Sequence, residues 1–542
     1  MEWFRRVLWM ILVLHTASCY HKDHYYNNTI DPASLQLQEF RTEHPRPIGL
    51  LTISSGEPVE IRDTVTLNTE MFNRNFHPEL TSHADRERIQ ERVVHAKGIG
   101  AYGYFEVTND VSKYTKADVF NGVGKKTPLV GRFSTSIENL GGPELGRDLK
   151  GLSMKMYTRE GNLDFLCLQP RVYFYRDPIM FAPLIRAFRR NPRTNLYDLT
   201  MVWDFISNRP QSLNAMLWLQ SDVGIPNGYR KMNIFPAHTY EIYNKQGDRY
   251  YVKFNFISEQ GQDNLTTIQA MAIAAQDQDY YSRDLYNAIA EKNYPAWRLE
   301  MDVMSLNDIK NIDYDPFDVT RLWKRGTYHT VEVGRVVINR RVENNFKDNE
   351  QAAYNPGNLV PGISGPQDYI FKARRIFYPD TQNYRLGVNH NKIEVNMPRY
   401  ERTYNRDGVP PLRDNMKDAP NYYPNTFNGP VPYVDESRPK ETLLILESQA
   451  EDLEPSNDFY HNVLEDDAHR QRVADNIASS LQNVVPSVLN NTLRVLTLTS
   501  ADLGRRVTAS LEALRAAAAK INPAERTRRI AQCIEMNLNP KY

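Results

Sequence analysis

One histidine in a glycine-rich stretch and one arginine–tyrosine pair are the residues whose surroundings point to chemistry. His95 stands in Arg92-Val93-Val94-His95-Ala96-Lys97-Gly98, among small residues that let a large flat group approach the backbone. An imidazole there can accept and return a proton near neutral pH, although a lone histidine on such a strand more often serves the structure. Arg374 and Tyr378 are four apart, so on a helix they share a face, and the guanidinium favours the phenolate form of the tyrosine. Taken alone, such a pair is usually a surface or packing contact. The common alternatives are missing from the sequence: it has no phosphate loop, no Gly-x-Ser-x-Gly elbow and no His-Glu-x-x-His.

These groups need strands and a helix to place them. From Arg92 to about Arg340 short β-type runs recur at 93–107, 128–134, 152–157, 172–175, 250–257, 298–306 and 335–339. Many alternate apolar and polar residues, and Gly98, Gly100 and Gly103 thin the first run, as in strands that curve or meet another backbone. Helical periodicity within this region, at 180–189, 211–220 and 265–275, adds helical insertions to an antiparallel barrel, so the fold class is α+β. Residues 20–91 are polar and proline-punctuated and read as an extended arm that needs another surface to pack on. Residues 341–454 are rich in Pro, Asn, Tyr and Arg and read as a wrapping loop, interrupted by one helix over about 366–378. Residues 455–542 carry amphipathic spacing at Phe459, Val463, Val473, Ile477 and Leu481, then an alanine-rich helix near 514–520, which makes a C-terminal helical domain.

Composition narrows the function classes. The 542 residues leave room for roughly two to four domains. Lys plus Arg (66) equals Asp plus Glu (66), so no net field draws in nucleic acid or an anionic membrane. Three cysteines, Cys19, Cys167 and Cys533, exclude a disulfide scaffold, a zinc ribbon and a four-cysteine iron–sulfur site. Arg5-Arg6, the apolar run Val7 to Leu14 and the small residues Ala17-Ser18-Cys19 read as a secretory signal peptide over residues 1–19. The run covers less than half of the roughly 20 residues a spanning helix needs, so no membrane anchor is expected. A secreted product would expose the sequons at Asn27, Asn264 and Asn490 to glycosylation, and the ending Asn-Pro-Lys-Tyr is not a peroxisomal address. The 32 tyrosines stand out against 6 tryptophans.

The flanking blocks carry a resemblance. Glu91 to Gly98, Tyr104-Phe105-Glu106-Val107-Thr108, Lys125-Lys126-Thr127-Pro128 and Arg132-Phe133-Ser134-Thr135 resemble the haem catalases of the small-subunit, animal type. So do Arg176-Asp177-Pro178, Met201-Val202-Trp203-Asp204-Phe205, Tyr378-Pro379-Asp380-Thr381, Arg385-Leu386-Gly387 and Ala419 to Pro424, in the family's order from about residue 40 to 490. The resemblance implies an eight-stranded antiparallel barrel, an N-terminal arm, a wrapping loop and a C-terminal helical domain, assembled as a homotetramer. It implies haem b as cofactor and decomposition of hydrogen peroxide to water and oxygen. Tyr378 would be the iron ligand with Arg374 behind it, His95 the distal acid–base group and Ser134 its hydrogen-bond partner. Arg92, Arg132 and Arg385 would pair with the haem propionates, with Val94 and Phe181 contacting the macrocycle. Local rules end the helix near Pro379; the resemblance carries it further.

Departures from the family are equally specific. Leu168 stands where the family has an asparagine that orients peroxide, and losing one preorganised donor costs roughly 100- to 1,000-fold in rate. Attenuated dismutation is therefore expected, unless a bulge brings Gln169 into its place. Two other outcomes stay open: a secreted haem peroxidase oxidising small donors, or a catalytically weak haem-binding structural protein. Phe377 precedes the tyrosine where a small residue is usual, Arg375 replaces an apolar one, Ser136 replaces a channel valine and Asp148 keeps the channel's acid. Many small-subunit catalases also bind NADPH; the matching positions here are Asn214, Val223, Ile257 and Arg325, beside Trp323. Three have lost a cationic group, so no stoichiometric NADPH is expected.

Overall fold

The computed structural model describes residues 30–65, 74–410, 414–440 and 452–519. Nine antiparallel strands form one sheet: β1 (Gly98–Val107), β2 (Lys126–Thr135), β3 (Lys150–Thr158), β4 (Gly161–Leu168), β5 (Tyr240–Tyr243), β6 (Arg249–Ser258), β7 (Ala296–Ser305), β8 (His329–Arg341) and β9 (Ile363–Pro366). Their order is β4-β3-β2-β1-β8-β7-β6-β5-β9. The first eight make the barrel, and the segment at Ile234 and Phe235 bridges its open side, pairing with Phe256 of β6 and with Leu168 at the end of β4. The short β9 comes from the wrapping segment and adds to β5.

Period-2 alternation explains most of these strands. Inward residues such as Phe105, Phe133, Met154, Phe165, Phe254 and Trp297 fill one continuous core, as strands buried on one face require. Gly103 sits where β1 and β8 shift register, and a side chain there would run into the Val337 carbonyl. A second core joins the helical insertions to the C-terminal helices Asp467–Leu481, Pro486–Thr499 and Ala501–Ala519, with Trp203, Trp218, Tyr460, Ile477 and Leu503 at its centre.

Some elements differ from the sequence expectation. Residues 172–175 are not a strand: they run as a loop along the helical core, where Phe174 and Tyr175 are buried. The helices Leu199–Asn208 and Tyr280–Ala290 and the strands β4 and β5 lie in stretches that periodicity left unassigned. The arm holds two helices, Pro32–Glu43 and Phe76–Ala84, and neither has a buried residue. The helix Tyr369–Leu386 runs straight through Pro379. Proline removes the bond to the carbonyl of Arg375, but Arg375 lies on the exposed face, where water can take that carbonyl. Residues 1–29, and with them the signal-peptide reading, Cys19 and the Asn27 sequon, lie outside the described residues, as does Cys533. Asn264 is half-buried and bridges Pro226, while Asn490 is exposed on a helix. Among the described residues no helix is long and apolar enough to cross a membrane.

Candidate active site

His95 lies just before β1 with φ of 61°, in the left-handed region, where strain in a non-glycine residue must be held by its surroundings. Three contacts hold it. Its N–H donates to the Ser136 carbonyl at 2.8 Å, and Arg132 donates to the carbonyls of His95 (2.7 Å) and Ala96 (2.8 Å). Ser134, directly opposite Gly98 on β2, meets the imidazole Nδ1 through Oγ at 2.9 Å. Nε2 is thereby left to the cavity. Burial, reinforced by the positive charges of Arg132, Arg374 and Arg92, pushes the imidazole down to about 3, so at neutral pH it is an uncharged proton acceptor. Gly151 on β3 gives the ring its room, because a Cβ there would come to 3.1 Å from His95 Cε1.

Leu168 pairs with Gly151 across β3 and β4, lines the same cavity, and is held by reciprocal backbone bonds with Phe235 (2.9 and 2.8 Å). No bulge brings Gln169 in. Its amide oxygen accepts from the Lys150 backbone N–H and its amide nitrogen donates to the Asp148 carbonyl at 3.2 Å, on the side of the strand away from the cavity.

The opposite chemistry comes from the helix Tyr369–Leu386. Asp368 caps it by accepting from the Phe371 N–H at 2.8 Å, and one turn in, Arg374 donates from Nη2 to the Tyr378 hydroxyl at 3.1 Å. The other guanidinium nitrogen lies 2.7 Å from His238 Nε2, and His238 Nδ1 lies 2.9 Å from Asp368 Oδ2. Since a guanidinium only donates, His238 accepts at Nε2 and carries its proton on Nδ1. The result is a buried series Tyr378–Arg374–His238–Asp368. Burial pulls the Arg374 guanidinium down, but the phenolic oxygens of Tyr378 and Tyr173 raise it overall, so it stays a cation. Arg375 is exposed and takes no part.

Between these walls lies a cavity of about 1550 Å³, its mouth included, lined by Val94, His95, Leu168, Phe181, Phe377 and Tyr378 among others. Phe181 stacks on Phe377 at 4.8 Å and 12°, so the bulky residue before Tyr378 completes an apolar aromatic wall. Ser136 lines the cavity as well. At its rim the charge balance is unusual. Arg92, Arg132 and Arg385 are buried around one carboxylate, Glu350. Burial, then repulsion from Arg132 and Arg385, drives the Arg92 guanidinium well below its ordinary value. Its Nη1 is buried without a hydrogen-bond partner and stands 3.6 Å from Glu350. A flat dicarboxylate macrocycle fits these residues: the cavity offers a phenol and an imidazole on separate walls, and three guanidiniums share a single carboxylate.

Other expected residues are placed differently. Arg132 lines the cavity but spends its donors on His95, Ala96 and Asn349. Arg385 sits behind the wall, bonded to the carbonyls of Gln90 and Glu350 and to Gln382. Asp148 is buried off the cavity, accepting from the Ile137 and Leu149 N–H groups. Sequence reasoning missed His238 and Asp368. Asp368, an acidic residue just ahead of the apolar Tyr369-Ile370-Phe371, had the signature of a helix cap; His238, in an irregular segment, had none.

A curled antiparallel barrel holding a tyrosine–arginine pair and a serine-bound histidine around one arginine-rimmed cavity defines a class of haem-type oxidoreductase architecture. The catalase family model matches residues 54–429, and the chain belongs to the catalase family. It is 39% identical over 488 residues to Catalase-2 of Caenorhabditis elegans (88% of this chain, 97% of that protein) and 42% identical over 438 residues to the catalase of Danio rerio (80% and 83%). Among solved structures it superposes on a bacterial catalase with TM-score 0.81 at 32% identity (86% of this chain, 96% of that one) and on catalase A from Saccharomyces cerevisiae with TM-score 0.80 at 30% identity (86% and 99%).

Proposed function

We propose that this chain binds haem b between His95 and Tyr378 and decomposes hydrogen peroxide to water and dioxygen at a rate attenuated by Leu168. The observation that carries this reading is the shared cavity: an uncharged imidazole from the strand wall and an arginine-backed phenol from the helix wall line it together. Bound there, haem supplies the redox chemistry that cleaves the O–O bond. Tyr378 would hold the iron through its phenolic oxygen, to which Arg374 donates from Nη2 at 3.1 Å. Arg92 would take a propionate with its unpartnered Nη1.

His95 does the proton work. Its Nε2 accepts a proton from peroxide and returns it to the departing oxygen, while the Ser134 contact at Nδ1 fixes the ring. Leu168 contributes shape but no donor, so each peroxide is oriented by one polar group where an amide would make two. Absence of one preorganised donor is worth about 3–4 kcal/mol of transition-state stabilisation.

Further parts of the reading rest on surface and sequence features. We infer a homotetramer because the arm leaves Leu37, Ile48, Leu50, Leu51 and Ile61 mostly exposed, an apolar stripe that a partner would cover. NADPH is not retained: Asn214 is buried, its amide nitrogen donating to the Thr320 carbonyl inside the fold, and Val223 and Ile257 carry no charge. The Arg5-Arg6 and Val7 to Leu14 pattern assigns the protein to the secretory pathway. A peroxidase reading is favoured by Leu168 together with Ser136 in the cavity wall, since slow return by peroxide leaves time for small donors. The test is an absorption spectrum of the purified protein beside Tyr378→Phe. Haem with tyrosinate features, altered by the substitution, supports the proposal; a spectrum unchanged by it would sink the assignment of Tyr378.

A further inference from the structure

The cavity wall contains three phenols that the peroxide chemistry does not use, Tyr173, Tyr175 and Tyr354, and two of them form a pair. Tyr173 and Tyr175 both line it, their ring centroids 5.1 Å apart at 75°. Burial raises both phenols above their ordinary range, so both stay protonated. Tyr378 and Arg374 are close enough to act on them electrostatically. They form neither a strand nor a helix, and Tyr173 is fixed by its N–H to the Val319 carbonyl at 2.7 Å.

We propose that Tyr173 and Tyr175 are a built-in electron-donor pair that rescues the peroxide-oxidised site when no second peroxide is productively held. The proposal rests on the haem reading above. Two phenols supply what one peroxide needs: H2O2 plus two TyrOH gives two H2O plus two TyrO radicals. Each phenol loses one electron and one proton, the O–O bond breaks, and both protons end in water. Tyr173 and Tyr175 share the cavity with the reacting site and pack on each other, whereas Tyr354 lines it singly among the cations Arg92, Arg132 and Lys155, and Tyr157 lies outside the lining. Leu168 supplies the occasion, since a poorly oriented second peroxide lengthens the life of the oxidised site. After a single equivalent the phenoxyl pair waits for an outside reductant, such as a small phenol.

The experiment is freeze-quench electron paramagnetic resonance of the purified holoprotein mixed with one equivalent of peroxide, after its haem has been quantified by absorbance. The expected result is a tyrosyl signal that narrows in protein grown with ring-deuterated tyrosine. It should be lost in Tyr173→Phe/Tyr175→Phe, reduced in each single variant and retained in Tyr157→Phe. The single variants keep the test sound should the double variant not fold. Haem with no tyrosyl signal overturns the proposal alone, as does a signal that survives both single substitutions unchanged. Absence of haem overturns the underlying reading and this proposal with it.

Discussion

Leu168→Asn is the perturbation whose outcome the structure specifies most closely. The two side chains are similar in size, and the backbone of residue 168 is clamped by its pair of bonds to Phe235 and by its pairing with Gly151. An amide placed there is therefore aimed into the cavity without any rearrangement, facing the His95 wall across a residue that has no side chain. Gln169 cannot already be doing the work, because both ends of its amide are engaged with Lys150 and Asp148. Restoring one preorganised donor should then recover about 100-fold in turnover, the low end of its usual worth, or roughly 2.7 kcal/mol at 1.36 kcal/mol per tenfold. The assay is initial oxygen evolution per haem across peroxide concentrations, with Leu168→Met as the control that keeps the site apolar. The gain should appear in kcat. Thermal unfolding separates this from folding effects, since an amide left without a partner would cost about 1–3 kcal/mol of stability. A rate for Leu168→Asn within about threefold of the parent, roughly 0.65 kcal/mol, would refute the claim that the missing donor limits turnover.

Three further outcomes follow from the same geometry. With His95 held down to about 3 from 6.5, the unfolded chain binds a proton that the folded site refuses, so this group's contribution to stability falls as pH drops from about 6.5 towards 3. Activity measured on the still-folded protein should show no acid limb near 6.5, and such a limb in kcat/KM would contradict the assignment. Asp368→Asn keeps the helix cap but removes the charge from His238, so stability should change by only about 1–2 kcal/mol while the tyrosinate absorption shifts; an unmoved spectrum would disconnect the series from Tyr378. Lys155 and Asp164 form a fully buried pair at 2.7 Å, so Lys155→Met should cost about 3–5 kcal/mol in denaturant unfolding, and a loss below about 1 kcal/mol would show that the pair is not what orders β3 against β4.

Much of this site was legible in the sequence because its parts are local. Arg374 and Tyr378 are one helical turn apart, so spacing placed them on their helix, whereas His95, expected within the strand run 93–107, lies in the turn just before β1. The strands with clear alternation, β2, β3, β6 and β7, could be read for the same reason. What escaped was assembled by long-range contact. His238 reaches Arg374 from 136 residues away, and nothing in Pro236-Ala237-His238-Thr239 marks it. The strand expected over 172–175 failed because its apolar residues serve the helical core, where burial and not pairing sets the conformation. Arg385 resembled Arg92 and Arg132 in sequence, yet its hydrogen bonds hold it behind the wall, a distinction that only the position of the Gln90 and Glu350 carbonyls decides.

The central claim, that the His95–Tyr378 cavity carries haem-dependent peroxide dismutation, is tested most directly by the yield of dioxygen from haem-quantified protein under a large excess of peroxide. The account predicts one dioxygen for every two peroxides consumed, at an attenuated rate. Consumption of peroxide only when a donor is supplied, or no consumption by haem-loaded protein, would contradict it.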